Sequence, residues 1–130
     1  MLDTNVVSAL IRDPHEGKAR SRLVAFGVDR ACISVLTSAE IQFGFAKRSS
    51  PRLERNLELL LGSITILPFG PPADFYYGWL RAHLVRQGTP IGPNDLFIAA
   101  HALALDLTLI TANVGEFSRV PGLRLENWLD

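Results

Sequence analysis

Hydrophobic residues along the chain fall into two patterns, short continuous runs and stripes at helical spacing. The continuous runs predict short strands, and the most apolar of them suits a sheet that is covered on both faces. These predicted strands are the end of one at Met1-Leu2 and four others at 31–34, 64–67, 107–111 and 123–126, the last at a sheet edge.

The segments between the strands predict helices, several of them with recognisable ends. Ser49-Ser50-Pro51 is a typical helix start, with serine as the cap and proline at the first position. Gly62 and Gly88 are expected to end helices. The predicted helices cover 5–12, 16–26, Thr37 or Ser38 to Lys47, 51–61, 73–87 and 95–105.

This alternation of strands and helices predicts an α/β fold in which helices cover both faces of a parallel sheet. The 130 residues suit a single domain spanning 1–130, and no internal repeat or interdomain linker interrupts the pattern. In such folds, ligands bind beyond the carboxyl ends of the strands.

Four acidic residues stand where a strand or loop leads into a helix, namely Asp3, Glu40, Asp95 and Glu116, with Asn113 near the last. Glu40 is expected in the first turn of its helix, and Asn113 and Glu116 in a loop. Carboxylates gathered from distant segments repel one another unless a positive charge lies among them. A divalent cation bound through oxygen ligands is the usual solution, which favours a metal-dependent hydrolase.

Each acidic residue also has an ordinary structural explanation. Asp3 could cap a helix, Glu40 and Asp95 could complement helix dipoles, and Glu116 could be solvated in a loop. Other chemistries find less support, because the three histidines lack zinc-ligand spacing, no serine has a convincing histidine partner, and no glycine-rich phosphate loop is present.

Charge and composition limit the kinds of nucleic-acid binding and the cell compartment that fit this chain. Lysine plus arginine equals aspartate plus glutamate, 13 each, which argues against a protein that coats nucleic acid by bulk electrostatics. The basic segment 47–55 is either a solvated helix start or a phosphate contact made by Lys47, Arg48 and Arg52. The lone cysteine, Cys32, and the lack of a signal peptide or membrane span predict a protein of the reducing cytoplasm.

Several motifs in one order resemble a PIN-domain ribonuclease, and most closely the VapC toxins of prokaryotic toxin–antitoxin pairs. The matching segments are 1–5, Ser38-Ala39-Glu40, 90–102, 109–117, and 120–123 with 126–128. Each motif alone is weak, but their common order and spacing are specific, and together they span essentially the whole chain.

The resemblance implies a three-layer α/β/α sandwich around a central parallel sheet. It also implies a Mg²⁺- or Mn²⁺-dependent endoribonuclease, acting on tRNA or rRNA, often homodimeric and silenced by a VapB-type antitoxin. Asp3, Glu40 and Asp95 fall on the family's first three acidic positions. Asn113 and Glu116 share the fourth, and Thr111 falls on a hydroxyl that orders the closing loop.

In the mechanism that the resemblance implies, Asp3 and Asp95 hold the metal. Glu40 is the third metal residue and also orients or deprotonates the attacking water. Glu116 with Asn113 completes the cluster. Two features depart from the family, since only Met1 and Leu2 precede Asp3, and Asn113 is neutral where some relatives carry aspartate. The first strand is therefore expected to be stunted or extended upstream.

Two other functions remain open from the residues. The first is a catalytically weak PIN-like module that binds RNA or protein, which the neutral Asn113 would suit. The second is a phosphatase on a doubly wound fold, although Asp3-Thr4-Asn5 lacks the second aspartate that an aspartyl-phosphate enzyme needs.

Overall fold

The computed structural model describes residues 1–48 and 50–130, which contain seven α-helices, four short strands and a 3₁₀ turn at Val28–Arg30. Ser49, which belongs to a predicted helix start, lies outside the described residues. The helices are α1 Thr4–Arg12, α2 Lys18–Phe26, α3 Val35–Lys47, α4 Pro51–Ser63, α5 Ala73–Gln87, α6 Pro93–Ala104 and α7 Val114–Phe117. The strands are β1 Cys32–Ser34, β2 Thr65–Leu67, β3 Leu109–Ile110 and β4 Leu125–Glu126.

The strands form a parallel sheet that is joined at its centre by a single residue. β1 pairs in parallel with β2, and β3 pairs in parallel with β4. Leu2 bridges Ile33 on one side and Ile110 on the other, also in parallel. The order across the sheet is therefore β2, β1, Leu2, β3, β4.

Consecutive strand residues enter two different hydrophobic cores, as the alternation of side chains along a strand requires. Leu2, Ile33 and Ile110 pack in one core with buried residues of α1, α2 and α4. Met1, Cys32 and Leu109 pack in the other core with buried residues of α5 and α6. Helices thus cover both faces of the sheet, and the predicted three-layer α/β/α arrangement is confirmed.

Helix α3 begins earlier than the sequence suggested. Its cap is Ser34, the last residue of β1, whose hydroxyl accepts a hydrogen bond from the Leu36 N–H at 3.1 Å. The predicted caps Thr37 and Ser38 lie inside the helix instead, and Glu40 lies in the second turn rather than the first. The reason is that strand leads directly into helix without a loop, so the last strand residue supplies the capping oxygen.

The segment after β3 also differs from its prediction. Residues 114–117 form one helical turn, α7, where a loop was expected. The Thr111 hydroxyl accepts the Asn113 N–H at 3.0 Å and turns the chain into that helix. The strand itself is limited to Leu109–Ile110, and α6 begins at Pro93, so that Asp95 lies in its first turn.

Two other predicted helix ends are confirmed, whereas Gly62, which was expected to end a helix, lies inside α4, which runs to Ser63. The Ser50 hydroxyl accepts the Leu53 N–H at 3.3 Å, with Pro51 at the start of α4. Gly88 ends α5 in the left-handed conformation. In the part of the chain that the structure describes, no helix has the length and apolar character needed to cross a bilayer.

Candidate active site

Asp3 sits at the centre of the sheet edge and is held from two sides. It caps α1, where its Oδ1 accepts the Thr4 N–H at 2.7 Å, and its Oδ2 accepts the Thr111 hydroxyl at 2.8 Å. The residue is only 3% exposed. Burial raises the pKa of this carboxyl, the bonds from Thr111 and Thr4 oppose the rise, and the charges of Glu40 and Glu116 add to it.

Asp95 and Glu116 flank Gly92 at the start of α6. A Cβ placed on Gly92 would lie 3.6 Å from Glu116 Oε1 and 3.9 Å from Asp95 Oδ2. Burial, followed by the charges of Asp3 and Glu116, raises the pKa of Asp95 to about 7. The two carboxyls also share a hydrogen bond, and it raises the pKa of Asp95 while lowering that of Glu116.

Glu116 is stabilised in its ionised form. Its Oε1 accepts the Gly92 N–H at 2.6 Å, and its Oε2 accepts the Asn113 side-chain amide at 2.7 Å. The Gly92 bond is the largest cause that lowers the pKa of Glu116, and partial burial opposes it. Asn113 is neutral where some relatives carry aspartate, and its amide therefore orients the Glu116 carboxylate.

Glu40 joins the cluster from α3. Its Oε1 accepts the Thr4 hydroxyl at 2.8 Å, which ties the second turn of α3 to the first turn of α1. Its charge contributes to the raised pKa of both Asp3 and Asp95. The structure thus brings all four sequence-predicted acids within electrostatic reach of one another, with Thr111 and Asn113 among them.

An open cleft of about 400 Å³ lies over this cluster. Its lining residues are Asp3, Thr4, Asn5, Ser8, Arg12, Asp95 and Asn113. A somewhat larger cleft of about 480 Å³ lies elsewhere, near α2 and α4, and none of the predicted catalytic residues lines it. The chemistry of the side chains, rather than the size of the cavity, identifies the candidate site.

Carboxylates facing this cleft suit a hard divalent cation such as Mg²⁺ or Mn²⁺. Within residues 1–48 and 50–130, no three His, Cys, Asp or Glu side chains already form a closed ligand set for a metal ion. Mg²⁺ commonly uses one or two carboxylates and keeps much of its water, so the pair Asp3 and Asp95 fits that demand. A cation there would also offset the repulsion that raises the pKa of Asp95.

The basic residues predicted to meet RNA lie outside the cleft lining. The Lys47 ammonium lies 4.8 Å from the centre of the Phe43 ring, and Arg48 is exposed at the end of α3. Arg52 comes nearest to the cleft, since its guanidinium donates to the Arg12 carbonyl at 3.5 Å. Arg12 itself lines the cleft and was not predicted as a site residue, although its spacing of four from Ser8 and eight from Thr4 places the three on one face of the helix.

Comparisons with known proteins agree with this geometry. The family model described as PIN domain matches residues 1–123. The chain belongs to the PIN domain family. Relatives of this PIN domain include "Ribonuclease VapC2" of Rickettsia felis, 42% identical over 98% of this chain and 96% of the relative. The "tRNA(fMet)-specific endonuclease VapC" of Salmonella typhimurium is 39% identical over the same shares.

Solved structures similar to this PIN domain come from toxin–antitoxin complexes. VapBC2 from Rickettsia felis, bound to a DNA fragment from the promoter, matches with a TM-score of 0.90 and 38% identity over 98% of this chain and 97% of that one. DNA-bound VapBC from Salmonella typhimurium matches with a TM-score of 0.85 and 39% identity over 98% and 96%. The family and fold expected from the sequence motifs are therefore confirmed.

Proposed function

We propose that this PIN domain is a Mg²⁺- or Mn²⁺-dependent endoribonuclease, the toxin of a type II toxin–antitoxin pair. Ribonuclease function is supported by relatives named as VapC ribonucleases, alike over nearly their whole length. The observation that carries the metal dependence is that Asp3 and Asp95, from distant parts of the chain, line the same cleft. The substrate is RNA, and the reaction is hydrolysis of a phosphodiester bond.

The partner is a VapB-type antitoxin that silences the nuclease. Support comes from structurally similar proteins that were solved as VapBC complexes. We further propose that residues 1–130 act as one domain in the cytoplasm, and that the toxin forms a homodimer.

The bound cation would be held by Asp3 and Asp95, with Glu40 nearby. It would lower the pKa of the attacking water and neutralise charge on the scissile phosphate. Thr111 and the Thr4 N–H fix the two oxygens of Asp3, so that this carboxylate is oriented before substrate arrives. Glu40, held by the Thr4 hydroxyl, accepts the proton from the attacking water.

Glu116 has a supporting part in this mechanism. Because the Gly92 N–H and the Asn113 amide stabilise its ionised form, it accepts the hydrogen bond from Asp95 while that residue is protonated. A bound cation would be held by Asp95 in its ionised form, with the anionic Glu116 beside it.

The test is cleavage of a mixed tRNA and rRNA pool by antitoxin-free protein, with Mg²⁺ or Mn²⁺ and with EDTA. Asp95→Asn removes a ligand charge but little volume, so cleavage should fall at least a hundredfold while the fold persists. Asp74→Asn is the matched control, since Asp74 lies in the first turn of α5 as Asp95 does in α6, but outside the cleft.

Full activity of Asp95→Asn would refute the assigned site. Absence of cleavage by folded wild-type protein, with both metals, would favour the RNA- or protein-binding module over the nuclease. Cleavage that persists in EDTA would refute the metal dependence alone.

A further inference from the structure

Helix α1 turns a polar face toward the cleft. Thr4, Ser8 and Arg12, spaced by four residues, all line it, whereas Val7 and Ile11 on another side of the helix are buried in the core. We call Thr4, Ser8 and Arg12 the α1 stripe. It begins beside Asp3, which caps the helix, and ends at the positively charged side chain of Arg12. At about 1.5 Å per residue, Arg12 lies roughly 13 Å along the helix from Asp3.

Arg12 is available for a ligand. It is exposed in the last turn of α1, and among residues 1–48 and 50–130 its guanidinium makes no ion pair. Arg52 adds a second positive charge at the same end, where it donates to the Arg12 carbonyl. The cleft is therefore acidic at the Asp3 end and basic at the Arg12 end.

An RNA strand matches this polarity. A phosphate at the acidic end requires the cation, while a neighbouring phosphate needs a direct positive partner, and a guanidinium suits it because its planar fork donates two hydrogen bonds. Resting on the proposed ribonuclease function, we propose that the α1 stripe is the track of the RNA backbone, with Arg12 binding a phosphate on one side of the scissile bond. Contacts of this kind set affinity and register and carry no base preference.

The experiment measures binding of a fluorescent single-stranded RNA to the Asp95→Asn protein at several salt concentrations. Adding Arg12→Ala should weaken binding about tenfold and reduce the slope of log K against log salt by about 0.7, the value for one lost phosphate contact on a single strand. Arg12→Lys should restore the salt slope but only part of the affinity, because an ammonium cannot bind in bidentate fashion.

Arg86→Ala is the matched control, because Arg86 also lies exposed in the last turn of a helix, α5, but lines no part of this cleft. It should leave the salt slope unchanged. In the otherwise wild-type enzyme, Arg12→Ala should reduce cleavage through a higher KM, with circular dichroism reporting an intact fold.

Equal salt slopes for Arg12→Ala and Arg86→Ala would contradict the proposed RNA path along the α1 stripe. A loss of cleavage by Arg12→Ala that is confined to kcat would also contradict it. If the wild-type enzyme cleaves RNA normally in that case, only this inference fails. If the wild-type protein neither binds nor cleaves RNA, the proposed function fails along with it.

Discussion

At the scale of single residues, the adjacent carboxyls of Asp95 and Glu116 have pKa values shifted in opposite directions. The pKa of Asp95 is raised to about 7 by burial and by neighbouring acids, whereas that of Glu116 is lowered, first by the Gly92 N–H. One proton is therefore kept at Asp95 in the metal-free protein, at a pH where an ordinary aspartate would have lost it. Divergent pKa values of this kind are common at sites that bind metals or transfer protons.

This proton makes metal binding dependent on pH. Asp95 must be ionised to serve as a ligand, so protons compete with the cation as the pH falls through 7. Mn²⁺ affinity, followed by calorimetry at constant ionic strength, should fall about tenfold per pH unit below that value. An affinity that is constant from pH 5.5 to 8.5 would contradict the prediction, and Asp74→Asn should leave the profile unchanged.

The same pKa shift predicts a stability gain in a metal-free variant. Because the folded-state pKa of Asp95 lies above its ordinary value of 3.8, its contribution to stability is complete below about pH 4 and is lost as the pH rises through about 7. Asp95→Asn removes this loss. In EDTA at pH 8 it should unfold in urea with a free energy higher by about 1–2 kcal/mol, after allowance for solvent screening at a half-exposed carboxyl.

At pH 4 the same variant and the wild-type protein should have equal stability. An equal difference at both pH values would mean that the gain does not come from the charge of Asp95.

At the scale of elements, the helices α3 and α6, which each carry one of the acids, are connected by a buried Ser34–His101 contact that the proposed mechanism does not use. His101 on α6 lies with its Nδ1 2.8 Å from the Ser34 hydroxyl, and that hydroxyl also caps α3. α3 carries Glu40 and α6 carries Asp95, so this contact links the elements that supply two of the acids. The sequence analysis found no convincing histidine partner for any serine, and this contact corrects that prediction, because Ser34 and His101 are remote in the chain.

Breaking this pair should destabilise the fold. His101→Leu leaves the Ser34 hydroxyl without its buried partner and should lower the unfolding free energy by about 1–3 kcal/mol. His101→Asn should lower it by less, because its side-chain amide can lie near the position of Nδ1. Burial lowers the pKa of His101, so the wild-type protein should lose stability as the pH falls below 6.5. Urea unfolding at pH 5 and 7.5 checks both, since neither variant should show that histidine-linked loss.

At the scale of the whole molecule, the sequence predicted the layers and the acidic cluster because both follow from residue order. Apolar runs alternate with helical stripes, and the carboxyl ends of parallel strands meet at one edge. The start of α3 was misplaced, because a strand that leads directly into a helix leaves no loop signal. The Ser34–His101 contact and the polar face of α1 toward the cleft depend on packing in three dimensions, which spacing alone does not settle.

The centre of the sheet offers a stability test of this architecture. Leu2 is 1% exposed and its N–H donates to the Cys32 carbonyl at 2.8 Å, while the Asp3 N–H donates to the Ile110 carbonyl at 2.8 Å. Leu2→Ala should lower the unfolding free energy by about 2–5 kcal/mol, by loss of burial and by the cavity left behind. Thermal unfolding checks this, with Leu59→Ala as the control because Leu59 is 71% exposed. Similar losses in the two variants would show that Leu2 is not central to the core.

The bridge at Leu2 also has a consequence for when the molecule becomes active. Glu40 follows the strand pair on one side of the bridge, and Glu116 follows the pair on the other. Asp3 is held by Ile110 and Thr111 on the second side, and Leu2 joins the first side through the Cys32 carbonyl, so the four acids meet only when both pairs dock against the first residues. A chain in which one half alone has folded therefore holds an incomplete set of acids, so nuclease activity should emerge with the last docking step of folding and not before.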